Sequence, residues 1–111
     1  MNLLELHFPI VGATLPVDHG YDLYAAVSCH IPNLHTRDLP IRVGPIAGTF
    51  AGRGLLQLDP RRSRLRLRLS AEEIPTLLRL AGKGLNVGGH ALPMGVPQVM
   101  GLTPAPALRK G

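Results

Sequence analysis

Five histidines, a lone cysteine and an alternating row of arginines are the residues of this 111-residue chain whose types could do chemistry. His7, His19, His30, His35 and His90 are scattered, with no spacing typical of a metal site. The chain has no HExxH, no CxxC, no carboxylate cluster and no serine-centred nucleophile elbow. The sequence therefore asks for no bound metal and no cofactor. What remains is a histidine in a polar loop, His35, beside basic residues. Such a site can cleave RNA without metal. The ribose 2′-hydroxyl attacks the adjacent phosphate, histidine moves protons, and arginine or lysine stabilises the phosphorane charge. On the residues alone, a plain surface histidine is the simpler account of His35.

The second constellation is the stretch SRLRLRLS, residues 63–70. A strand here points Leu65, Leu67 and Leu69 one way and Arg64, Arg66 and Arg68 the other. The guanidinium groups then recur every ~6.6–6.8 Å, twice the strand rise. That is close to the phosphate step of a single strand, and the arginine fork suits phosphate. A solvated outer face would look the same. Charge is also unevenly spread. Residues 1–36 hold three acids and no Lys or Arg, whereas residues 37–111 hold all twelve basic residues against four acids. The two parts carry −3 and +8, within a net charge of +5. The asymmetry suggests a polyanionic partner. An arginine-rich proteome using Arg for solubility is the alternative.

These residues need elements to position them. The stretch DHGYDLYAAVSCHIPNLH, residues 18–35, predicts one helix over Gly20–Ile31. Asp18 is the expected cap and Pro32 the expected stop. Leu23, Val27 and Ile31, with Leu34 beyond, form one apolar stripe. Tyr21, Tyr24, Ala25 and Ser28 fall on the neighbouring face, so the helix is expected to be mostly buried. It delivers His30, buried by the stripe, to its last turn and His35 to the following loop. Cys29 excludes an internal disulfide, fits a reducing, cytoplasmic compartment, and is expected to be a small buried residue of the helix.

Along the rest of the chain, Asn2–Ile10 alternates as a strand with one wetter face. Residues 12–16 read as a connection. Residues 41–50 read as a second strand broken by Gly44 and Pro45, AGRG (51–54) as a turn, and Leu55–Leu58 as a third strand. After the arginine strand, Ser70 and Glu73 form a capping box for a helix over Ala71–Ala81, with Pro75 a possible kink and Gly82 a stop. Residues 83–89, His90–Met94 and Val96–Leu102 read as further strands. No apolar run approaches the ~20 residues of a membrane span, and no signal peptide, repeat, Walker loop or GxGxxG is visible. The order strand, helix, strand, strand, helix, strand, with an extra hairpin strand, matches a ferredoxin-like α+β domain. An antiparallel sheet would carry both helices on one face.

The combination LPVDHGYDLYAAVSCHIPNLH, GPIAG, SRLRLRLSAEEIPTLLRLAGK and VPQV followed by LTPAPAL resembles one family. It is similar to the CRISPR-associated endoribonuclease that processes precursor CRISPR RNA, in its MYXAN-subtype form, and specifically to the N-terminal half. The resemblance implies two ferredoxin-like domains in tandem in a full member. Residues 1–103 would be the first domain and 104–111 a Pro-rich tail or linker towards the second. It implies metal-independent cleavage leaving a 2′,3′-cyclic phosphate. The family's catalytic histidine falls on His35, preceded by Leu34, and its active-site tyrosine on Tyr21. His30 is the neighbouring candidate. Arg37 and Arg42 are the nearest basic partners, and Arg61, Arg62, Arg64, Arg66 and Arg68 complete the expected RNA-binding set. The implied partners are CRISPR repeat RNA and other Cas proteins of a type I effector complex, with no membrane. A non-catalytic RNA-binding module and a structural subunit of a ribonucleoprotein are the alternatives.

Overall fold

The computed structural model describes residues 3–31, 33–34 and 41–101. The alternating strand 64–70 lies at the middle of the main sheet. β1 (Leu3–Pro9) and β6 (Arg64–Ser70) pair antiparallel along their full length, with Leu4 opposite Leu69, Leu6 opposite Leu67 and Phe8 opposite Leu65. β3 (Arg42–Val43) pairs antiparallel with the other edge of β6, and β9 (Gln98–Gly101) with the other edge of β1. The sheet order is β3-β6-β1-β9. The connection from β1 to β3 is thus split by β6, and that from β6 to β9 by β1. This is the ferredoxin-like arrangement.

The helices are α1 (Gly20–Ser28), between β1 and β3, and α2 (Ile74–Leu77), between β6 and β9. Leu23 and Val27 of α1 and Leu77 of α2 join the same buried cluster as Leu6, Phe8, Leu65, Leu67 and Leu69. Both helices therefore cover the leucine face of the sheet. Each fully buried leucine of that face contributes about 1.5–3 kcal/mol. Ile31 and Leu34 extend the stripe and are buried. Around this unit, β2 (Thr14–Pro16), β5 (Leu55–Gln57) and β4 (Thr49–Gly52) form a small antiparallel sheet. β7 (Gly84–Val87) and β8 (His90–Pro93) form a hairpin packed beside α1.

Several local expectations are corrected. α1 ends at Ser28, three residues short of Ile31, and its last turns are tightened by His30 N–H donating to the Val27 carbonyl. The stop expected at Pro32 lies outside the described residues. Asp18 does not cap α1; the N-cap is His19, with no side-chain capping bond. Only one face of α1 is buried. Tyr21 is 83% exposed and Cys29 is exposed at the C-cap, because both point away from the sheet. The expected connection at 12–16 contains strand β2, whose partner lies some forty residues away, beyond any local pattern. Residues 41–50 split between two sheets, β3 in one and β4 in the other.

The second helical segment is broken into three short pieces. 3₁₀ turns over Ala71–Glu73 and Leu78–Leu80 flank α2, with Pro75 near its start. Ser70 has the extended backbone of an N-cap, but its hydroxyl makes no capping bond. It is buried without a partner among the described residues. A capping serine costs about 0.5–2 kcal/mol when replaced by alanine. Here the hydroxyl bears a desolvation cost instead. Ser70→Ala is therefore expected to leave stability unchanged or raise it in urea titration. A clear loss would restore the capping role.

Candidate nucleic-acid interface

The outer face of the main sheet is the polar complement of the leucine face. Because side chains alternate, β1 sends Glu5 and His7 outward, and β6 sends out Arg64, Arg66 and Arg68. The register places Glu5 opposite Arg68 and His7 opposite Arg66, with Arg42 of β3 opposite Arg68 on its other side. Glu5, Arg42, Arg66 and Arg68 surround an open cavity of ≈ 400 Å³, completed by Val43, Gly44 and Pro45.

Glu5 organises this face. Its Oε2 accepts from Nε and Nη2 of Arg68 at 3.2 and 2.9 Å, and its Oε1 accepts from Nε2 of His7 at 2.9 Å. The Glu5 side chain is only 17% exposed, against 49% for Arg68. Its carboxyl is held below the ordinary value of 4.5, first by the His7 hydrogen bond and then by the Arg68 guanidinium. Like charges directly across a ladder repel, and Glu5 offsets the charge of one member of the Arg42–Arg68 pair, Arg68. Arg66 and Arg42 line the same cavity without an acid on their guanidinium groups in the described contacts. The result is a concave cationic patch able to hold phosphate oxygens, with Pro45 as an apolar edge against which a base or sugar could rest; the Val43 side chain packs on the core side instead.

The expected site residues distribute unevenly. Arg42, Arg66 and Arg68 converge on the cavity, and Arg64 continues the row at the end of β6 opposite Pro9. Arg61 and Arg62 lie in the loop before β6. There Nη2 of Arg62 donates to the Gly48 carbonyl at 3.1 Å, a contact within the fold. Tyr21 lies in the first turn of α1, and His30 lies two residues past its end at Ser28. His30 is half-buried rather than covered by the stripe, and its Nε2 donates to the Gly84 carbonyl at 3.2 Å. Its position just past the last helical turn swings it towards β7. His35 and Arg37 lie outside the described residues. Glu5, Val43, Gly44 and Pro45 were not among the expected site residues. Glu5 shares the period-2 face of His7, but only the pairing register shows that this face meets the arginines.

Among the described residues, no group of three or more His, Cys, Asp and Glu could hold a metal ion. No helix among them is long and apolar enough to cross a membrane.

The fold and this surface define a class: a ferredoxin-like domain with helices on one face of its sheet and a cationic cavity on the other. Within that class, residues 4–110 match the family described as Cas6 Crispr, and the chain belongs to that family. It is similar to the CRISPR-associated endonuclease Cas6 of Myxococcus xanthus (strain DK1622), with 38% identity over 108 residues, 97% of this chain. The chain spans about half of that relative, 46% of its length.

The lowered Glu5 value fixes the sign of an acid effect. Its stabilising contribution is complete above 4.5 and is lost as pH falls through the lower value of the folded state. Glu5→Gln removes a charge that only the folded state favours. The native chain should therefore lose stability more steeply than Glu5→Gln below pH 4.5 in acid unfolding. Parallel acid curves would show that the carboxylate is not thermodynamically linked to folding.

Proposed function

We propose that this chain is the N-terminal domain of a precursor-CRISPR-RNA-processing endoribonuclease, binding repeat RNA through its arginine-lined sheet face. The observation that carries this reading is the family match, which runs through nearly the whole chain. The endonuclease named for the Myxococcus xanthus relative supplies the activity, and the cationic cavity fits its RNA substrate.

The chemistry needs no group beyond side chains and the RNA itself. The 2′-hydroxyl attacks the adjacent phosphorus, the 5′-oxygen leaves, and a 2′,3′-cyclic phosphate forms. His35 takes or gives the proton, since free imidazole, titrating near ~6.5, can do either at neutral pH. Tyr21, exposed at the start of α1, is free to orient the 2′-hydroxyl or brace the phosphate. Arg37 is the nearest basic group to His35 in sequence. His30 is the weaker candidate, because its Nε2 is already engaged with Gly84. Other Cas proteins of a type I effector complex are the proposed assembly partners.

Cleavage and binding separate by experiment. Single-turnover cleavage of repeat RNA in EDTA should slow ~10²–10⁴-fold in His35→Ala, with RNA affinity nearly intact. The assay is run on this chain and on any longer polypeptide containing it. Full activity of His35→Ala, with loss in a folded His30→Ala, would reassign the histidine. Abolition by EDTA would discard the metal-free mechanism, and binding without cleavage in either polypeptide would leave a binding module.

The arginines are ranked by salt dependence. Each phosphate contact to a single strand contributes about 0.7 to the slope of log K against log salt. Arg42→Gln and Arg66→Gln should each lower the slope by about that amount. Arg68→Gln should lower it less, because Glu5 already holds that guanidinium. An unchanged slope in all three assigns the face to solvent.

A further inference from the structure

The segment Gly44–Gly48, GPIAG, belongs to neither sheet, yet its backbone is held at four points. Gly44 N–H donates to the Arg66 carbonyl at 3.0 Å. Ile46 N–H donates to Nε2 of His19 at 3.0 Å. The buried Ser63 hydroxyl donates to the Ala47 carbonyl at 2.6 Å, and Arg62 holds the Gly48 carbonyl. At Gly48 an added Cβ would come within 2.9 Å of the Gln57 carbonyl oxygen, so the chain there lies directly against β5. The first two residues of this segment, Gly44 and Pro45, form one wall of the arginine cavity.

His19 is the member of this set that comes from outside the neighbouring loops. It is 3% exposed, and its Nδ1 lies 2.7 Å from the Pro16 carbonyl. A carbonyl only accepts and a backbone N–H only donates. Nδ1 therefore carries the proton and Nε2 is bare: the ring is neutral, in its Nδ1–H tautomer. The backbone carbonyl of the same residue accepts from Leu23 N–H at 2.7 Å, closing the first turn of α1. One residue thus sets the start of the helix that bears Tyr21 on the helical side. The same residue sets the cavity wall that continues from β3.

We propose that His19 is a positioning residue for RNA binding, fixing the Gly44–Pro45 wall of the arginine cavity through Ile46 and tying that wall to the start of α1. The proposal rests on the reading of the cavity as an RNA site. It assigns His19 no contact with RNA and no role in proton transfer.

Two conservative variants divide the imidazole into its halves. In His19→Gln the side-chain oxygen reaches the place of Nε2 and can accept from Ile46 N–H. In His19→Asn the amide occupies the place of Nδ1 and nothing reaches Ile46. The probe is a short single-stranded oligoribonucleotide, titrated into the whole 111-residue chain and followed by amide NMR and by affinity. In the native chain, RNA is expected to shift the amides of Val43 and Gly44 and, with the same midpoint, those of Ile46 and Tyr21. His19→Gln should retain native affinity and the coupled shifts. His19→Asn should bind roughly tenfold more weakly, the scale of one lost buried hydrogen bond. It should also lose the Tyr21 shift, at a temperature where circular dichroism shows it folded.

Native-chain shifts at Val43 and Gly44 that never reach Ile46 and Tyr21 would overturn this proposal and leave the cavity reading standing. Equal affinity in folded His19→Asn and His19→Gln would do the same. No shift at Val43 and Gly44 in the native chain would remove the RNA cavity, and the positioning role with it. The native titration decides the matter even where a variant does not fold.

Discussion

The pairing register between β1 and β6 is the constraint on which the rest of the structure depends. Side chains alternate with a period of two, so a slip of one residue would turn Leu65, Leu67 and Leu69 to solvent and three arginines into the core. Losing three fully buried leucines forfeits about 1.5–3 kcal/mol each. Burying unpaired guanidinium groups costs several kcal/mol more per charge. Against a folding free energy of about 5–15 kcal/mol, no other register is accessible. The same register sets Glu5 against Arg68 and His7 against Arg66. The core and the cationic face are thus two consequences of one alignment.

The pairing of β3 with β6 adds a like-charge pair to this face, and Glu5 offsets the charge of its Arg68 member. β3 brings Arg42 directly opposite Arg68, and two guanidinium groups across a ladder repel. Ordinary surface ion pairs contribute little. Here, however, the carboxylate is mostly shielded, and both of its oxygens are engaged, one by two N–H groups of Arg68 and one by His7. Glu5 therefore does more than lower the net charge of the face. It fixes which arginine is committed to the fold and which remain for an anion. A row that looks uniform along β6 is graded by its cross-strand partners.

That distinction marks how far the sequence is legible. The alternation of β6 and the four-residue stripe of α1 are strong local periodicities set by burial, and both appear as expected, as do the βαββαβ order and the single helical face. Expectations resting on one side chain and its immediate neighbours transfer less well. Asp18 and Ser70 have the right types for caps, but neither makes the bond: His19 takes the N-cap place of α1, and Ser70 holds an N-cap backbone while its buried hydroxyl makes no capping bond. Cys29 is a small apolar type, yet the rotation of α1 exposes it. Strand β2, the division of residues 41–50 between two sheets, and the bond from His19 to Ile46 all depend on partners distant in sequence. No periodicity encodes such partners. Glu5 was visible as a polar residue of a strand, but its meeting with Arg68, 63 residues away, was not.

The two faces of the sheet also constrain how the proposed parts could work together. Tyr21 and His30 belong to the helical layer, whereas Arg42, Arg66 and Arg68 open on the opposite side. One phosphate cannot touch both sets across a sheet whose interior is closed by leucines. An RNA strand engaged by both must pass around an edge. The β1 side of the sheet is extended by β9, but on the β6 side the last strand, β3, is only two residues long. Beyond β3 the chain leaves the sheet as the pinned Gly44–Gly48 segment, which reaches the start of α1 through His19. The shortest protein path between the cationic face and the helical layer therefore runs over an edge that buried hydrogen bonds hold in place. On the proposed reading, the arginine cavity would hold RNA away from groups on the helical layer, with the GPIAG segment as the corner between them.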